Sequence, residues 1–216
     1  MTNFAKEQKL NGCSIHPLKD KDRTPFLVII IDASEGNSSE NSVLMYGHMD
    51  KQPFGEGWIH PPCDPVIEKG KLNGRGSSDD CYSFYSAILA VKACQVNNLS
   101  HPRVIITIEG NEEGGSLEDL MYYMKSYKES LIGEPNVVIC LDSDAFSEET
   151  LVISSSLRGC LIFDLNVEAF KENLHSGYSG IIPDPFIIAT NLVNRLIDFN
   201  SHKLIEEFMV DIPEYR

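Results

Sequence analysis

The sequence predicts an α/β chain built on an open sheet, with its chemistry beyond the carboxyl edge of the strands. Three observations predict this. Apolar, largely β-branched runs at Thr24–Ile31, Ser42–Tyr46, Arg103–Glu109 and Asn136–Leu141 read as buried strands. Helical stretches at Tyr82–Asn97 and Leu117–Tyr127 alternate with them, as an α/β fold requires. Acids or a histidine close every strand run after the first: His48, then Glu109-Gly110-Asn111-Glu112-Glu113, then Asp142-Ser143-Asp144. Ligands of open α/β sheets bind at that edge.

Residues 1–22 are polar and weakly patterned, with a helical hint at Asn3–Leu10. The Asp32–Ser42 segment is a loop by its Gly, Ser and Asn content. In Tyr46-Gly47-His48-Met49-Asp50-Lys51-Gln52-Pro53, Gly47 is expected to allow a tight turn, and His48 and Asp50 to share one side of an extended backbone. Gln52–Gly70 is rich in Pro and Gly and reads as a loop with short extended pieces. Phe84, Ala87, Ile88 and Val91 give the first long helix an apolar face, with Asp79 or Asp80 as its cap.

The pattern changes after Ser156. Leu161–Val167 alternates like an antiparallel strand with one face exposed. Residues 173–184 form a Gly/Pro/Ser loop containing His175, and Pro185–Phe199 reads as a helix with Pro185 in its first turn. A boundary at Leu157–Gly159 divides the chain into residues 1–157 and 158–216. No repeat or low-complexity segment is evident.

At 216 residues, 42% hydrophobic and 23% charged, the composition is that of a globular protein. Eighteen basic against 32 acidic residues give a net charge of −14, which disfavours nucleic acid and anionic membranes as partners. No charged-then-apolar leader opens the chain and no apolar stretch reaches the roughly 18 residues of a span, so a cytoplasmic protein is expected. Six scattered cysteines without a Cys-x-x-Cys pair suit free thiols in a reducing compartment, with Cys94 and Cys140 expected to be buried.

His48, Asp79, Glu113 and Asp142 are four candidate metal ligands at strand ends and one helix start. Each has an ordinary reading as well: Asp79-Asp80 as a cap, Glu112-Glu113 as a solvated pair or an acidic first turn, Asp142 and Asp144 as turn formers. Together they form a hard, oxygen-rich set whose members repel unless a cation is present. Such a set suits zinc, or alternatively manganese, in a two-metal centre. Of two adjacent glutamates, one can bind metal while the other takes a proton from water.

GHMD, GRGSSDD, EGNEEGGS, CLDS and LHSG, in that order, resemble the signature segments of the dinuclear zinc peptidases that include carnosine dipeptidases, aminoacylases and glutamate carboxypeptidases. YGHMDKQP, the DDCYSFYSAI helix and SSSLRG are most similar to the cytosolic dipeptidase-like branch. The resemblance runs from about Thr24 to the last residue. It implies a three-layer α/β catalytic domain with a mostly parallel central sheet, present as its first half, followed by part of an α+β lid, or dimerisation, domain. It implies two divalent ions, with His48 and Glu113 on the first, Asp142 on the second and Asp79 bridging. It also implies Glu112 as general base, Asp50 orienting His48, and His175 reaching across a homodimer to stabilise the oxyanion. The Asp79–Asp80 peptide is marked as the place for a cis bond. Arg158 is left as structural, and His16, His60, His101 and His202 as surface or loop residues. The family's last histidine ligand and its substrate-carboxylate contacts would lie in a second catalytic half beyond these residues.

The reaction so implied is attack of a metal-bridging hydroxide on the amide of a dipeptide or small peptide. Two alternatives stand beside it: the same fold as an N-acyl-amino-acid deacylase or carboxypeptidase, or a fragment that is inactive or only binds a full-length subunit. A nucleotide-binding reading of GRGSS fails, because no P-loop Lys-Ser/Thr follows and acids stand where phosphate would sit.

Overall fold

The structure, a computed structural model, describes residues 1–37, 41–143, 147 and 149–214; Ser38–Glu40 of the expected loop and the turn former Asp144 lie outside the described residues. The chain separates into two compact units, Met1–Val152 and Ile153–Arg216.

The first unit holds a five-stranded sheet of β1 (Cys13–Leu18), β2 (Phe26–Ile31), β3 (Ser42–His48), β6 (Arg103–Glu109) and β7 (Val137–Cys140). Their spatial order is β1-β2-β6-β3-β7, and β4 (Val66–Glu68) and β5 (Lys71–Asn73) form a separate hairpin. β3 runs parallel to β6 and β7, whereas β2 is antiparallel to both β1 and β6. The sheet is therefore mixed, with β2 alone reversed. That reversal is why the first expected strand brings no acid to the shared edge.

Alternation along the strands builds three layers. Leu27, Ile29 and Ile31 of β2 and Val104, Ile106 and Ile108 of β6 face one side. There they meet α1 (Thr2–Glu7) and the Phe84, Ala87, Ile88 and Val91 face of α2 (Tyr82–Val96). Phe26, Val28, Leu44 and Ile105 face the other side, against Tyr123 of α3 (Glu118–Ser126) and Ile132 of the π-helical turn after it. Phe26 and Tyr123 stack with ring centroids 4.9 Å apart. Each fully buried Phe or Ile contributes about 1.5–3 kcal/mol, so these two faces hold the sheet rigid beneath its carboxyl edge.

Several features of the first unit differ from expectation. β1 arises in the segment read as unpatterned; it is an edge strand, where Pro17 and a weak burial pattern are tolerated. Gly47 makes no turn, because it lies within β3 and is not left-handed. Its missing Cβ instead makes room for Ser83 and Asp80, whose side-chain atoms would lie 2.1–2.6 Å from it. Cys140 is exposed because β7 is the other edge strand; Cys94 is half-buried, and all six cysteines are free thiols. His101 is a loop residue as expected, just before β6 and so at the edge opposite the acids, but it is buried there between Gln95 and the Pro102 carbonyl.

In the second unit, α4 (Pro185–Val193) has Pro185 in its first turn and Asp184 as its cap, accepting the Phe186 N–H at 2.8 Å. Leu161–Val167 forms no strand. Alternation alone cannot make one, since a strand needs a neighbour to receive its backbone hydrogen bonds. Among the described residues no helix is long and apolar enough to cross a membrane.

Candidate metal centre

Register decides which polar residues meet. His48 at the end of β3 pairs with Glu109 at the end of β6, and Tyr46 pairs with Cys140. Parallel pairing thus carries His48 and Asp142 to the same level. The His48 imidazole is fully buried, yet its Nε2 lies 3.0 Å from Asp79 Oδ1, 3.6 Å from Asp142 Oδ2 and 4.0 Å from Glu112 Oε2. Its Nδ1 faces Asp50, 3.1 Å from the carbonyl oxygen and 3.4 Å from Oδ1. A neutral His48 donating from Nδ1 leaves the Nε2 lone pair aimed into the acids, as a metal ligand requires.

Asp79 and Asp80 divide two tasks. Asp80 is fully buried; it accepts the His48 N–H at 3.0 Å, the Ser83 N–H at 3.2 Å and the Ser83 hydroxyl. From the position before the N-cap Cys81, the Asp80 side chain therefore caps the first turn of α2 and ties that helix to β3. Asp79 is left to face His48. The Asp79–Asp80 peptide, expected to be cis, is trans like every other described bond, the ordinary form where no proline follows.

Asp50 reaches beyond His48. Its Oδ1 and Oδ2 accept the backbone N–H groups of Glu112 and Glu113, at 3.2 and 3.0 Å. Glu113 is further held by Gln52, whose side-chain amide donates to Oε2 at 2.5 Å and whose backbone N–H donates to Oε1 at 3.3 Å. Beneath this layer Tyr46 donates to the buried Glu109 carboxylate. Gln52, Asp80, Tyr46 and Glu109 were not legible as site residues. Gln52 stands inside YGHMDKQP, but nothing local says that it reaches Glu113.

The electrostatics suit a cation-binding site. Burial raises the pKa of Glu112, and Asp142, Glu113 and Asp50 add to the rise against His48. Burial likewise raises Asp142, with Asp80, Asp79 and Glu113 adding to it against His48. For His48, burial opposes the charged form, but Asp142, Asp79, Asp80 and Glu112 outweigh it and raise the pKa. Among the described residues, two groups bring their ligand atoms within 4.8 Å of one another: His48, Asp79 and Glu113, and His48, Glu112 and Asp142. Ligand atoms at about 2.0–2.2 Å from one tetrahedral ion lie roughly 3.3–3.6 Å apart, so either group would contract by about 1 Å to close on an ion. The residues present fit a divalent metal.

His175 lies in the second unit, where its Nδ1 accepts the Gly177 N–H at 3.0 Å. A neutral His175 therefore keeps its proton on Nε2. In the first unit, a cleft of about 710 Å³ beside the metal-centre loops is lined by Gln52, Pro53, Phe54, Pro62 and Leu72 among others.

Residues 44–178 match Peptidase family M20/M25/M40. The chain belongs to this family. It is 30% identical over 184 residues to the Cys-Gly metallodipeptidase DUG1 of Saccharomyces cerevisiae, covering 82% of this chain and 38% of the relative. It is 29% identical over 194 residues to the human Beta-Ala-His dipeptidase, covering 87% of this chain and 38% of the relative. The chain thus spans well under half the length of these M20 relatives. Its fold resembles an M20 family metallo-carboxypeptidase from Sulfolobus solfataricus, with a TM-score of 0.72 at 22% identity, over 99% of this chain and 48% of that one. Human carnosine dipeptidase 1 is similar over 99% of this chain and 47% of that one, with a TM-score of 0.60 at 20% identity.

Proposed function

We propose that this M20 chain carries the metal-binding half of a dipeptidase-type metallohydrolase acting on dipeptides or small peptides. The observation that carries the reading is the buried His48 imidazole, whose Nε2 faces the Asp79, Asp142 and Glu112 carboxylates. His48 and Glu113 would hold a first ion, Asp142 a second, and Asp79 would bridge them. The His48–Asp79–Glu113 group supports the first assignment. Zinc fits the mixed imidazole and carboxylate set, with manganese as the alternative. Bound there, the ions would polarise the scissile carbonyl and acidify a water.

Glu112 stands 4.0 Å from His48 Nε2, does not bind metal in this assignment, and has a raised pKa. It would take the proton of the attacking water and pass it to the leaving amine. Asp50 would hold the His48 tautomer and place both glutamates. His175, with its proton on Nε2, would donate to the oxyanion in a partner subunit. Residues 158–216 would then belong to a lid domain through which two copies pair, and residues 1–157 to the catalytic domain. The dipeptidase relatives favour a dipeptide substrate, and the free thiols a cytoplasmic setting.

The test is metal content per chain by elemental analysis, with dipeptide hydrolysis assayed on the same sample. Bound divalent metal that Asp79→Ala abolishes is expected. A chain that takes up no divalent metal, or an Asp79→Ala variant with unchanged content, would sink the reading.

A further inference from the structure

Lys51 lies inside the YGHMDKQP segment, and among the described residues its ammonium is bonded to backbone carbonyls rather than to carboxylates. Its ammonium donates to three backbone carbonyls: Met49 at 3.1 Å, Asp50 at 2.8 Å, and Asp80. An ammonium has three N–H donors and all three are used, so Lys51 has none left for a substrate carboxylate. Two of its acceptors belong to the loop after β3, which carries Asp50; the third belongs to the Asp79–Asp80 turn before α2.

A second observation concerns the route of the side chain. Gly76 is left-handed, with φ +81°, and a Cβ there would lie 2.2 Å from Lys51 Cε and 2.6 Å from Cδ. The Lys51 stem therefore crosses the GRGSSDD loop where that loop has no side chain. One lysine thus fastens three pieces of loop: the Asp50 segment, the Gly76 crossing and the Asp79–Asp80 turn.

We propose that Lys51 is a positioning residue for the metal centre, its ammonium setting the separation between the His48–Asp50 segment and Asp79. This rests on the reading of His48 and Asp79 as ligands. Electrostatics alone predicts the opposite sign: removing a fixed cation beside a cation site should tighten metal binding. Positioning predicts weaker binding, because the two ligand-bearing segments are no longer held in register.

Titration of the metal-free 216-residue chain with Co²⁺, followed by its visible absorption, separates the two. Lys51→Met should bind Co²⁺ about tenfold or more weakly, within the range seen when groups that orient ligands are removed, and with an altered band. Lys51→Arg should not restore wild-type binding, because a planar guanidinium cannot serve three converging carbonyls from one atom. Should Lys51→Met fail to fold by far-UV circular dichroism, Lys51→Gln carries the same expectation. Unchanged or tighter Co²⁺ binding with an unchanged band in the folded variant would overturn the role of Lys51 and leave the proposed function standing. A wild-type chain that binds no Co²⁺, or binds it regardless of Asp79→Ala, would overturn the proposed function itself, and this inference with it.

Discussion

The backbone N–H of Glu113 is held by the carboxylate of Asp50 at 3.0 Å. A residue two positions past the end of β3 thereby fixes the loop that follows β6. The same carboxylate takes the Glu112 N–H and faces His48 Nδ1. Asp50→Ala should therefore disturb three site residues at once. About 10- to 100-fold weaker Co²⁺ binding by calorimetry is expected. Binding within threefold of wild type would show that His48 and the glutamates hold their places without it.

Glu112 should be separable from the metal ligands. In protein that hydrolyses dipeptides, Glu112→Gln should lower turnover by roughly 10²- to 10⁴-fold, the usual worth of a general base, with metal content unchanged. Elemental analysis and turnover on one sample decide it. Retained turnover would remove Glu112 from that role.

Gly47→Ala tests the close approach of α2 to β3. The added Cβ would lie 2.1 Å from Ser83 Oγ and 2.6 Å from Asp80 Oδ2. Both atoms belong to the cap that joins the helix to the strand, so neither can move freely. A loss of about 1–3 kcal/mol in a urea melt is expected, as for other overpacked sites. An unchanged midpoint would mean that the cap is looser than it stands here.

Asp119 gives a pH-dependent contribution that none of the candidate metal ligands supplies. Its carboxylate accepts the Thr24 N–H at 2.8 Å, the Thr24 hydroxyl at 2.7 Å and Arg23 Nη1 at 2.7 Å, joining α3 to the segment before β2. The Thr24 hydrogen bonds chiefly, with Arg23, lower its pKa. A depressed carboxylate stabilises the fold above its unfolded pKa of about 3.9, and that stability is lost as pH falls through the lower folded value. Asp119→Ala should cost about 1–2 kcal/mol at pH 7, and the difference from wild type should shrink below pH 4. A difference that persists undiminished at pH 2 would rule out the charged clamp.

Much of the fold was legible because its central elements obey short periods. β6 is the predicted Arg103–Glu109 run, and the apolar face of α2 is the predicted one. The misses lie where pairing, not pattern, makes the element. β1 exists because β2 offers it a partner from Cys13↔Ile31 to Leu18↔Phe26, while Leu161–Val167 has the pattern and no partner.

By itself the sequence determined the chemistry on offer: one histidine and a set of carboxylates at strand ends, in an order that matches the M20 family. Tertiary structure alone decided how they are used. That Asp80 caps α2 while Asp79 faces His48 depends on which carboxylate the His48 N–H reaches. That Asp50, Gln52 and Lys51 hold the surrounding loops depends on contacts between segments that are roughly 30 to 60 residues apart in the chain. Local sequence fixes which donors and acceptors a segment carries. Only strand register and helix packing bring them within hydrogen-bonding distance, because those bonds act over about 3 Å and have no sequence period.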